Sequence, residues 1–109
     1  MNNFPERDWK QLRKIKDEIL ASACEKIFKK IESISEKRTG CEYNAYLDLW
    51  KVIQKEDNKI AEMFNDLKRS NALTNLISCR QYGFLSDENL DKFSQETQSL
   101  IKKLIEVQR

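Results

Sequence analysis

Apolar residues recur at steps of three and four from Trp9 to Ile34, through Leu12, Ile15, Ile19, Leu20, Ala23, Ile27 and Ile31, with charged residues filling most positions between. That period matches the turn of an α-helix and sets one apolar face along a rod of about 30 residues. Pro5 suits a first helical position, and Glu6 and Asp8 complement the positive end of the helix dipole. The pattern stops at Lys37-Arg38-Thr39-Gly40, where cations and a glycine mark a helix end.

A second periodic stretch runs through Tyr43, Tyr46, Leu47, Trp50, Ile53, Ile60, Phe64, Leu67, Leu73 and Ile77. With neither Gly nor Pro between Glu42 and Tyr82, it predicts one continuous helix. Two polar interruptions fall within it: Glu56-Asp57-Asn58-Lys59, and Ser70-Asn71, which is able to N-cap a new helix. Gly83 then ends the rod in the left-handed conformation. Ser86 is the next N-cap, with Leu85 and Leu90 spaced as a hydrophobic staple. Leu90, Phe93, Leu100, Ile101, Leu104 and Ile105 carry a last helix to Val107.

Short connections force successive helices antiparallel. The expected fold is all-α, a single domain over 1–109, built as an up-down-up bundle of three long helices at 5–38, 42–82 and 86–107. At 1.5 Å per residue these are about 48, 60 and 32 Å long. The third rod rises only to the level of Lys26, so the first two project beyond it as a hairpin tip.

That tip is more apolar than a two-helix contact needs. Phe28 lies off the main stripe of the first helix, and Leu47, Leu49, Trp50, Val52 and Ile53 spread over about 200° of the second, twice an ordinary amphipathic stripe. Exposed apolar patches of this kind mark interaction sites. Phe28, Tyr46, Leu49, Trp50, Val52 and Ile53 are therefore the candidate interface, and pairing of two tips into a homodimeric four-helix core is the leading expectation. The competing readings are another helical protein as partner, or a second helix that breaks near Asp57 and folds back to bury the patch internally.

Composition narrows the chemistry. The 109 residues contain 20 Lys+Arg, 18 Asp+Glu and no His, for a net charge of +2. Without imidazole, Ser-His-Asp and Cys-His catalysis and His-containing metal sites are excluded. Neither a dinucleotide nor a P-loop fingerprint can be written with Gly40 and Gly83 as the only glycines. No catalytic, cofactor or metal motif emerges, and a non-enzymatic protein is expected. Cys24, Cys41 and Cys79 form no CxxC pair; an odd count without an apolar leader in Met1–Lys10 fits free thiols in the cytoplasm. No apolar run approaches the roughly 20 residues of a membrane helix.

A few side chains carry alternative chemistry. Arg7, Lys10, Arg13 and Lys14 form a basic face early in the first helix, suited to weak nucleic-acid binding, though solvated helix faces explain it more simply. The later lysines Lys26, Lys29, Lys30 and Lys37 project elsewhere and do not extend it into one groove. Asp57 falls on the apolar stripe of the second helix as a candidate perturbed carboxylate. Arg80, with Tyr82 and Phe84, is placed to shape a small-ligand pocket against Trp9. Tyr43, Tyr46 and Trp50 have faces on which a base or planar ligand stacks, and Cys41 stands at a helix N-terminus, where a thiol is activated. For each, the plainer reading is packing, capping or solvation.

Overall fold

A computed structural model describes residues 4–107; Met1–Asn3, part of the segment read above as lacking a leader, lie outside it. The described chain is all-α. It has five helices: α1 (Glu6–Glu36), α2 (Glu42–Phe64), α3 (Ala72–Gln81), α4 (Asp87–Leu90) and α5 (Gln95–Val107). The first rod forms as its period predicts, with Leu12, Ile15, Ile19 and Ala23 buried on one face. Gly40 takes φ +87 in the turn that follows, a conformation that costs glycine nothing. The α1–α2 turn is short, so the two helices pack as an antiparallel hairpin.

The second expected rod is broken. α2 ends at Phe64, Asn65 is extended, and Asp66 adopts φ +53, left-handed without being glycine. Asp and Asn tolerate that region better than other side chains. The Asn71 amide closes the bend by donating to the backbone and side-chain oxygens of Asp66, both at 3.1 Å. A single 3-10 turn, Arg69–Asn71, then leads into α3. The continuous helix over 42–82 is therefore two helices, and Asn71 serves the bend rather than capping α3 through its side chain.

α3 ends as Gly83 predicts. Its φ is +82, and the Phe84 and Gly83 amides donate back to the Cys79 and Arg80 carbonyls at 2.9 and 3.1 Å, a Schellman closure. Ser86 caps α4 by accepting from the Asn89 amide, and Leu85 and Leu90 are both buried beside it. The third expected rod is also interrupted: α4 stops after one turn, and α5 begins only after Phe93 and Ser94. Phe93 is buried in the core, which takes the chain off the helical path.

The core gathers at one end. It includes Leu12, Ile15, Ile19 and Ala23 of α1, Met63 and Phe64 of α2, and Leu76, Cys79, Leu85, Phe93 and Ile101 beyond. α3 packs against α2, α5 and α1 and takes the place expected of the third rod. The chain after it reaches Lys26, whose ammonium sits 5.4 Å from the Phe84 ring centroid. Past that level, among the described residues, the hairpin is two helices only. The Cα radius of gyration is 16.6 Å over 54 × 27 × 24 Å, against about 13 Å for a compact chain of this length.

Candidate functional site

α2 carries two apolar stripes, and only one faces α1. Ala45, Leu49, Val52, Glu56 and Met63 follow the seam: Ala45, Glu56 and Met63 are buried, and Leu49 and Val52 half-buried. The other stripe is Tyr43, Tyr46, Trp50 and Ile53, with exposures of 70%, 52%, 52% and 44%. Small and aliphatic side chains let two helices approach closely, and the aromatic set is left outside. Tyr43 and Tyr46 stack on one another, with ring centroids 6.2 Å apart. Phe28 on α1 is 59% exposed.

At about 100° per residue, the two sides of the hairpin can be told apart. Lys26 of α1 and Lys59 of α2 lie on one side, where they meet Phe84 and Tyr82 at 5.4 and 5.6 Å. Ile27 and Ile31, half-buried, and Tyr46 and Ile53 lie on the other, with Phe28 and Trp50 further round. The segment after α3 thus covers one flank of the hairpin's lower part, and the aromatic flank stays open. Of the six candidate interface residues, Phe28, Tyr46, Trp50 and Ile53 stand in solvent. Leu49 and Val52 belong instead to the seam.

The perturbed carboxylate is displaced by one residue. Asp57 is exposed on α2, whereas Glu56 is 3% exposed. Both Lys30 and Lys59 reach its Oε2, at 3.3 and 3.0 Å. Burial pushes the Glu56 carboxyl up, and the two ammonium groups outweigh it and hold it below the ordinary carboxylate range. The group fixes the register of α1 on α2.

Arg80 does not shape a pocket with Trp9. Its guanidinium donates to the Leu85 carbonyl at 2.6 Å and pairs with Asp87, locking the α3–α4 turn. Tyr82 donates to the Glu62 carboxylate, which pushes its phenol up, and Phe84 packs beneath Lys26. The three side chains expected to converge therefore go to three different partners. Arg7, Lys10, Arg13 and Lys14 are all exposed on the outer face of α1. Arg7 makes a 3.4 Å contact to the Lys92 carbonyl. The Cys41 thiol is exposed and donates to the Lys37 carbonyl at 3.3 Å, and burial pushes the Cys79 thiol up to about 12.

One polar centre escaped sequence reasoning. Asp8 is fully buried, and its carboxylate accepts from the Ser94 amide at 2.8 Å, the Ser94 hydroxyl at 2.7 Å and the Thr97 hydroxyl at 2.6 Å. It pins the start of α5 to α1, where the α5 dipole also favours an anion. The signal was present: Asp8 stands four residues before Leu12 and seven before Ile15, on the buried stripe itself. Nearby, Phe4, Leu73, Thr97 and Leu100 line a cleft of about 190 Å³ with Arg69 and Glu96 at its edge. Such a volume is below the roughly 300 Å³ of the smaller ligand sites, and Arg69 is engaged by the Phe4 carbonyl and Glu6.

Among the described residues no helix is long and apolar enough to cross a membrane, and no group of three or more His, Cys, Asp or Glu is placed to hold a metal ion. No protein-family model, curated protein or solved structure matches the chain.

Proposed function

We propose that this chain is a non-enzymatic interaction module that works by self-association, the aromatic flank of its α1–α2 hairpin covered by the same flank of a second copy. The observation that carries the reading is the exposure of Phe28, Tyr43, Tyr46, Trp50 and Ile53 together at the uncovered end of the hairpin. With roughly 200 Å² per large side chain and about half of each in water, they present on the order of 500 Å² of apolar surface. Size alone is ordinary for a monomer; composition is not, because aromatic residues are enriched at interfaces.

The stripe also fits a copy of itself. Tyr43, Tyr46, Trp50 and Ile53 are spaced 3-4-3, which reads the same in both directions. An antiparallel copy about a two-fold axis level with residue 48 sets Tyr43 against Ile53 and Tyr46 against Trp50. Asp57 then meets the turn of the other hairpin, where Lys37 and Arg38 stand, so charge agrees with shape. Two hairpins joined this way form a four-helix core, with Trp50 and Phe28 as its anchors. All three cysteines are free, which supports a reducing, cytoplasmic setting.

Geometry-specific cross-linking tests the reading. In a Cys24→Ser, Cys41→Ser background, Glu42→Cys and Gln54→Cys chains, which keep every residue of the stripe and place the thiols at exposed positions beside it, are mixed and treated with a short bismaleimide. The antiparallel pairing predicts a mixed 42–54 cross-link in excess of either like pair. Predominant 42–42 and 54–54 products, or no covalent dimer, would overturn it.

A further inference from the structure

We infer that the opposite flank of the hairpin is a second, separate surface that binds the phosphate backbone of double-stranded nucleic acid. Lys26, Lys29 and Lys30 of α1 line one shallow recess there, and Lys51, Lys55 and Lys59 of α2 line another with Tyr82. The rows are joined across the seam, because Lys30 and Lys59 both reach Glu56 Oε2. Lys51, Lys55 and Lys59 follow one another at i, i+4, about 6 Å apart along the axis. Of the acidic side chains on this flank, Glu56 lies under its two lysines and Glu62 is held by the Tyr82 hydroxyl, whereas Glu25 lines the recess of Lys26, Lys29 and Lys30, and Asp48 stands near the tip end.

The sequence alone splits these lysines between two segments, and only the folded hairpin unites them. An anionic membrane is the poorer fit, since interfacial helices insert apolar residues between their cations, and the apolar residues of this hairpin lie on its other flank. Single strands want free rings for base stacking. The two rings here, Tyr82 and Phe84, lie under Lys59 and Lys26. Gln54 and Asn58 stand among the α2 lysines, and a repeating line of cations engages a duplex through its phosphates whatever its sequence.

The test is fluorescence anisotropy of the full chain with labelled DNA and RNA duplexes of about 20 base pairs, since each neutralised phosphate steepens the salt dependence. Four lysines outside the Glu56 cluster predict a log–log slope near −3.6, a loss of over a hundredfold between about 50 and 200 mM salt. The exposed triple variant Lys29→Ala/Lys51→Ala/Lys55→Ala is expected to bind at least tenfold more weakly, with a slope shallower by about three. Its helicity is checked by circular dichroism. Lys10→Ala/Arg13→Ala/Lys14→Ala, on the other face of α1, is expected to leave affinity within twofold. No duplex binding at 50 mM salt, an equal loss in the second variant, or binding to phosphatidylserine vesicles but not to duplexes would each overturn the assignment.

Discussion

Two buried carboxylates set the fine structure of this molecule, and they do so differently. Asp8 accepts three hydrogen bonds, one from a backbone amide, and among the described residues no cation pairs with it. Asp8→Ala leaves those donors without an acceptor in a dry site. Chemical denaturation is expected to show a loss of about 3 kcal/mol, and a loss under 0.5 kcal/mol would mean that the cluster does not hold α5 in place. Glu56 faces the ammonium groups of Lys30 and Lys59, whose side chains are partly exposed. Glu56→Met is expected to be neutral or stabilising at neutral pH, because an apolar side chain removes the desolvation penalty of the ion cluster. Glu56→Gln keeps the polarity, loses the charge and is expected to destabilise by about 1 kcal/mol. Since the folded carboxyl is held below its usual value, its contribution is present above that value and disappears as pH falls through the folded one. The stability of wild type relative to Glu56→Met should therefore decline below about pH 4.5. A flat difference across that range would show that the lysines do not act on it. Asp8 was legible in principle, one turn before Leu12 on the apolar face. Choosing Glu56 over Asp57 required knowing which of two stripes meets α1, and hydrophobicity favours the wrong one: Tyr43, Tyr46 and Trp50 are the larger side chains.

At the scale of elements, what was readable is what local chemistry decides. The period of α1, the glycine stops at 40 and 83, the Ser86 cap and the Leu85–Leu90 pair all act within a few residues of themselves. The two breaks depend on distant or unusual partners. Asp66 enters left-handed space without a glycine to announce it, and Ser94 leaves the helical path toward Asp8, far away in the chain. Gly83 gives the cleanest test at this scale. A Cβ there meets nothing within 4 Å, so Gly83→Ala isolates backbone strain from packing. Thermal unfolding is expected to report about 1 kcal/mol of destabilisation; an unchanged or higher midpoint would mean that the Schellman turn tolerates a side chain.

At the scale of the whole molecule, α1 is about 46 Å long, yet its cluster of core side chains ends at Ala23. The remainder of α1 pairs with α2 alone. Breaking the second rod at Asn65 shortened it, but the break lies at the base, below the tip. Tyr43, Tyr46, Trp50 and Ile53 stay exposed, although the second and third rods whose lengths set that expectation are broken, and α3 with the segment after it supplies the partial cover. Trp50→Ala removes the central ring of that stripe and should weaken self-association at least tenfold, with little change in helicity, as judged by sedimentation and circular dichroism. The most direct measurement is the molar mass of the wild-type chain by light scattering across the micromolar range. Self-association predicts twice 13.0 kDa, falling toward 13.0 kDa on dilution; a mass of 13.0 kDa at every concentration would contradict it.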